Sequence, residues 1–218
     1  MPCIRTVVLA AVLVMAAPSN APAQTVYSNI SNGLQGMVGN GPLWDDATIV
    51  GGGVMTGFSA RINNFEAPNP RVFSGTVEIH LFDQAGNRPD GELLGSFPFT
   101  SGTAINPGET RLVVHDDLAA RGILLPADAR LGVHFTFDQV NFAVLLSNPP
   151  TVGASEDIYW RDVPPVRGLA YPTFVENLSF EIRVPGPGAA AILTLGAAAA
   201  VGSGRQRRRA AGCVKPLP

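Results

Sequence analysis

Three stretches of this chain alternate apolar and polar residues with a period of two, which leaves little room for anything but half-buried strands. In SGTVEIHLFD, Val77, Ile79 and Leu81 take one side and Thr76, Glu78 and His80 the other. RLGVHFTFD groups Leu131, Val133, Phe135 and Phe137 with His134 opposite, and NLSFEIRV aligns Leu178, Phe180, Ile182 and Val184. Successive side chains of a strand leave opposite faces, so this spacing predicts sheets with one face in a core and one, carrying His80 and His134, in water. Further strands are expected at Val54–Phe65, Leu93–Thr100, Arg111–His115, Phe142–Ser147 and Asp157–Trp160. No long segment between residues 24 and 184 has an apolar stripe at helical spacing; HDDLAARGI would turn twice before Gly122 stops it. DQAGNRPDGE and TSGTAINPGE are rich in turn formers. Together these features predict an all-β fold, an antiparallel jelly-roll-like β-sandwich of about 8 to 10 strands.

The strand-bearing region is framed by two very different ends. MPCIRTVVLAAVLVMAAPSNAPAQ has a positive start at Arg5, an apolar stretch from Val7 to Ala17, and Ala21-Pro22-Ala23 as an A-x-A cleavage site. That layout is a secretory signal peptide, residues 1–23, and its apolar stretch is too short for a membrane span. Export would use the secretion machinery and a signal peptidase acting after Ala23. Cys3 and Cys213 both sit in the terminal segments, so residues 24–184 hold no cysteine and depend on their own core.

Charge separates along the same boundaries. All 17 acidic residues fall between Asp45 and Glu181, whereas 9 of the 15 basic ones fall between Gln24 and Val184, giving that region a net charge of −8. Such a surface repels phosphate backbones and argues against a nucleic-acid partner.

Catalytic patterns are sparse. GFSAR lacks the second glycine of a nucleophile elbow, and the region has no cysteine nucleophile. His80, His115 and His134 show no metal-ligand spacing, so no transition-metal site and no cofactor is expected. Asp45-Asp46, Asp116-Asp117 and Glu156-Asp157 are adjacent carboxylates, but neighbours in an extended chain point to opposite faces, whereas glycoside hydrolysis needs two facing one cleft. A non-enzyme is therefore expected. Two weaker constellations bear on binding. Asp83, Asn87, Asp90 and Glu92 place oxygen ligands around one hairpin loop, a calcium candidate set against a plain turn. Trp44, Tyr159 and Trp160 lie beside expected loops and would stack on sugar rings if exposed and coplanar, as in a carbohydrate-binding module; otherwise they fill core.

From Gly188 to Gly204 the chain runs 17 residues without a charge. As a helix this would reach about 25 Å, short of a hydrocarbon core of about 30 Å. Seven of the 13 residues from Ala189 to Val201 are alanine, so its drive to insert is small. Pro185-Gly186-Pro187 precedes it and breaks the last strand, and Arg205, Arg207, Arg208 and Arg209 follow, which the positive-inside rule would hold in the cytoplasm.

This order resembles the PEP-CTERM sorting signal, the C-terminal tag that exosortase recognises in bacteria producing extracellular polysaccharide. In that family a Pro-Glu-Pro-like motif precedes a short hydrophobic helix and an arginine cluster. Here Pro185-Gly186-Pro187 stands at the motif, with Gly186 in place of the usual Glu, and the tail 210–218 runs past the arginines. The resemblance covers residues 185–209; VEIHLFDQAGNRPDGELLGSF is also similar to the β-sandwich domains such proteins carry. It implies processing near Pro185 by an exosortase-like enzyme and release to the envelope, cell surface or extracellular matrix, where polysaccharide would be a neighbour. The reading is thus a secreted, non-enzymatic surface or matrix protein held transiently at the inner membrane. The alternatives are a carbohydrate-binding module and a simple membrane-anchored protein.

Overall fold

Why the alternating segments fold as they do is visible in how they pair. The computed structural model describes residues 22–30, 34–39, 41–65, 68–85, 87–147, 149–156, 158–163, 166–171 and 177–186. Residues 1–21, at the expected leader, and everything from 187 onward, including the apolar run and the arginine cluster, lie outside the described residues. Residues Pro22–Gly186 form one compact unit. In chain order its strands are β1 (Ala23–Ser28), β2 (Leu34–Gly39), β3 (Leu43–Thr48), β4 (Gly53–Val54), β5 (Gly57–Asn64), β6 (Arg71–Leu81), β7 (Leu93–Ile105) and β8 (Thr110–His115). They continue with β9 (Leu124–Leu125), β10 (Arg130–Phe137), β11 (Phe142–Ser147), β12 (Tyr159–Val163), β13 (Val166–Tyr171), β14 (Asn177–Leu178) and β15 (Phe180–Pro185). The fold is all-β, and every pairing between these strands is antiparallel.

Two larger sheets result. One runs β13-β12-β3-β10-β6-β7. The other follows β1-β15-β5-β11-β14, with β8 on the second edge of β5 and β2 on the second edge of β11. The segment of β14 and β15 changes partner at Ser179, from β11 at Leu178 to β5 at Phe180. Asn29 fixes that change: its side-chain amide donates to the Leu178 carbonyl (2.6 Å) while its oxygen accepts from the Phe180 amide (2.8 Å). Asp45 accepts the Leu178 amide from the other side at 2.5 Å. Backbone groups at a break in a ladder need such partners when water is excluded.

The apolar halves of the alternating strands meet between the sheets. Val77, Ile79, Leu131, Val133, Phe135, Phe180, Ile182 and Val184 are all buried in one cluster. Phe58 of β5 stands at its centre, with ring centroids 5.5 Å from Phe97, 5.4 Å from Phe99 and 5.8 Å from Phe135 on the opposite sheet. Phe180 of its own sheet stacks on it at 5.8 Å. Such offset and edge contacts are the favourable arrangements of aromatic quadrupoles.

Several local expectations need adjusting. The strand expected over Val54–Phe65 is two, β4 and β5, because Met55 and Thr56 break the ladder between them. HDDLAARGI forms one 3₁₀ turn, Leu118–Arg121, which Gly122 ends at φ 66°, a left-handed value natural to glycine. β3 was not expected from its sequence, LWDDAT, because aspartate is disfavoured in strands.

Candidate functional site

On β3 the alternation sends Leu43, Asp45 and Ala47 to the core and Trp44 and Asp46 to the opposite face, where the charged and aromatic residues of neighbouring strands gather. That second face is covered. Trp44, Trp160 and Phe82 form an apolar cluster of their own, separate from the main core, with Ile158 packed on it. The carbonyl of Pro89 approaches Gly132 so closely that a Cβ there would lie 1.8 Å from it, which reserves the position for glycine.

Beside this cluster runs a chain of polar contacts. Oε2 of Glu78 lies 2.9 Å from Nδ1 of His134 and 3.3 Å from Nε2 of His80. Nδ1 of His80 meets the Gly91 carbonyl at 2.9 Å, and Nε2 of His134 lies 3.4 Å from Asp162 Oδ2. The Trp44 indole N–H donates to Asp162 Oδ1 at 2.7 Å, and its ring stacks on His134 at 3.9 Å. Burial pushes the Glu78 carboxyl up, but hydrogen bonds from His134 and His80, with their charges, outweigh this and hold it below its ordinary range. Within the sheet these contacts link β6 to β10, and β3 and β10 to β12, and the His80 contact reaches the loop before β7.

A second group lies one step along β3. Asp46 accepts from Arg130 Nε at 2.8 Å and from the Glu156 amide at 3.1 Å. Arg130 also reaches Glu156 Oε2 at 3.0 Å, and its guanidinium lies 3.6 Å over the Phe82 ring. Burial raises the Asp46 carboxyl to about 6, against the opposing pull of Arg130. On the core side, Asp45 accepts the Asp46 amide (2.8 Å) and the Leu178 amide, so the adjacent carboxylates do point to opposite faces. Tyr27 is pushed well above its usual value, first by burial and then by the charge of Asp45.

The structure corrects one reading of these residues and bears on two more. His80 and His134 are buried, not solvated, because loops and aromatic rings close over the second face of their sheet. Trp44, Tyr159 and Trp160 are 0%, 4% and 1% exposed. Tyr159 packs in the main core whereas the two tryptophans lie in the other cluster, so they form no shared surface for a sugar ring. In the loop proposed for calcium, Arg88 occupies the ligand space: its guanidinium binds Asp90 twice, at 2.9 and 2.7 Å. Asp83 accepts the Ala85 amide and pairs its backbone with Arg88, while Asn87, at φ 48°, turns the chain and Glu92 is exposed. A cation already in place makes this a hairpin loop, and among the described residues no three acidic, histidine or cysteine side chains are grouped to hold a metal.

The network of Glu78, His80, His134, Asp162, Asp46 and Arg130 was missed as a unit. Both tryptophans of the chain lie beside it, and large rings flanking a polar strand face are the one signal that this face is covered. A shallow depression elsewhere is lined by Gly41, Phe137, Asp138, Gln139 and Val140, with Asp138 already hydrogen-bonded to Ser74.

At the domain's edge β1 pairs with β15, setting Ala23 opposite Pro185 and Gln24 opposite Val184. Ala23, at the expected cleavage site, and Pro185 and Gly186, at the expected sorting motif, thus lie side by side. Ala21, Pro187, Arg205, Arg207, Arg208 and Arg209 lie outside the described residues, and among the described ones no helix is long and apolar enough to cross a membrane. Compared with known families and curated proteins, the chain matches no family model and no relative.

Proposed function

We propose that this is a secreted, non-enzymatic protein of the cell surface or extracellular matrix, delivered there by an exosortase-type C-terminal sorting signal. The observation that carries this reading is the order at the C-terminus of a chain that opens with a leader: Pro185-Gly186-Pro187, an uncharged run to Gly204, then Arg205 and Arg207–Arg209. The last strand ends at Pro185, which supports taking the segment beyond it as a removable tag. Its partners on this route are the export machinery, a signal peptidase and an exosortase-like enzyme, and extracellular polysaccharide is its neighbour at the destination. The two sheets are read as a jelly-roll-like β-sandwich, supported by the Phe58 contacts that cross between them. The non-enzymatic reading is supported by the opposite facing of Asp45 and Asp46 and by the closure of loops over His80 and His134.

Mass spectrometry of the protein recovered from its host's envelope and matrix tests the proposal. The expected N-terminus is Gln24, and peptides containing Arg205 to Arg209 should be absent. An intact peptide from Val184 to Arg209 in most of the recovered protein would overturn the sorting reading and favour a retained membrane anchor.

A further inference from the structure

The two ends of the domain bear on the order in which they are cut. Beyond the last paired residues of β1 and β15, the Gly186 amide donates to the Pro22 carbonyl at 2.9 Å. Gly186 is buried, and a Cβ built on it would stand 2.5 Å from that same oxygen. Pro22 and Ala23 belong to the leader side of the A-x-A site, and Pro185 and Gly186 open the sorting motif. Leader residues therefore act as the strand partner of the motif. An enzyme that takes its substrate as an extended segment needs that segment's backbone edge free to pair with its own groups. In the uncleaved chain this edge is occupied.

We infer that removal of the leader after Ala23 uncovers Pro185–Gly186, so that the N-terminal cut must precede recognition of the C-terminal motif. The sheet itself survives the cut, because Gln24 opposite Val184 and Thr25 opposite Arg183 remain in the mature chain. Pro185 loses its strand neighbour Ala23, and the Gly186 amide loses its acceptor. This order rests on the sorting reading for its biological meaning, but the masking is a property of the chain alone and is measured separately.

The full-length chain is expressed in a host without a sorting enzyme, either cleavable or carrying Ala21→Phe, which puts a bulky residue where the cleavage site requires a small one. Hydrogen exchange is followed by mass spectrometry at the Gly186 amide. Exchange should be about tenfold slower in the uncleaved variant, the scale of one lost backbone hydrogen bond. Adding Gly186→Ala to the uncleaved chain should restore fast exchange at residue 186, because the new methyl displaces Pro22. In the native host, Ala21→Phe should then retain its arginine cluster, and the double variant should lose it as readily as cleavable Gly186→Ala does. Equal exchange in cleaved and uncleaved chains overturns the masking. C-terminal processing of Ala21→Phe at the normal rate overturns the order, whereas an unprocessed C-terminus in the unaltered protein overturns the sorting reading instead.

Discussion

Asp46→Asn isolates a buried carboxylate whose deprotonation works against folding. The Asp46 side chain is 1% exposed and held by Arg130 and the Glu156 amide, yet burial raises it from 3.8 to about 6. The folded state therefore keeps its proton to a higher pH than the unfolded chain does. Its stabilising contribution is complete below about pH 3.8 and is lost as pH rises through about 6. A shift of about two pH units, in which the Arg130 charge is already set against burial, corresponds to roughly 3 kcal/mol. Asparagine has nearly the same shape and no proton to lose, so that pH dependence should vanish in the variant. The variant's absolute stability changes too, since its amide nitrogen must face donors at Arg130 or Glu156. The informative quantity is accordingly the stability of the unaltered protein minus that of Asp46→Asn, measured at pH 4 and again at pH 7.5. It should fall by about 3 kcal/mol over that range, or about 1 to 2 M in urea midpoint for a domain of this size. Urea titrations followed by tryptophan fluorescence suit the purpose, because both tryptophans are buried in the adjoining cluster. A difference that stays flat or rises with pH would refute the reasoning, and with it the assignment of burial as the dominant influence on Asp46.

Two further substitutions test the remaining parts of the fold. Glu78→Gln should act with the opposite sign: the Glu78 carboxyl is lowered in the folded state, so its stabilisation is present above the usual glutamate range and lost as pH falls through its native value. The stability difference from the variant should grow as pH rises from about 3 to 5; a difference that shrinks would contradict the pairing with His134 and His80. Phe58→Ala should lower stability by about 3–5 kcal/mol, toward the upper end because rings from both sheets surround the cavity and cannot all close in. Calorimetry should register this as a fall of roughly 6 to 20 °C in Tm, and a fall of only a degree or two would mean that the two sheets do not meet at Phe58.

The inward half of the fold was legible because a strand's period is fixed by its geometry. Val77, Ile79, Leu131, Val133, Phe135, Phe180 and Ile182 are in the core where alternation put them. What lay outside that logic is more instructive. β3 carries two aspartates in LWDDAT and so has the composition of a loop, but each carboxylate has a dedicated partner: backbone amides for Asp45, Arg130 for Asp46. Those partners are 84 and 133 residues distant in sequence for Arg130 and the Leu178 amide, and no local pattern can announce them. The break of β14 and β15 at Ser179 depends in the same way on Asn29, 149 residues from Leu178.

The second face of the sheet shows why the site was harder to read than the fold. Alternation states that His80, Glu78 and His134 face away from the core, and they do; it does not state whether water lies there. A solvated face and a buried polar network have the same one-dimensional pattern, since both place polar residues at every second position. The difference comes from what covers them, here Trp44, Trp160, Phe82 and the carbonyls of Pro89 and Gly91. Once covered, each polar group must find a partner or destabilise the fold, which is why the histidines converge on one carboxylate oxygen of Glu78 and why Asp162 bridges Trp44 and His134. Rings that would stack on a ligand if exposed are thus packed instead against an internal polar network.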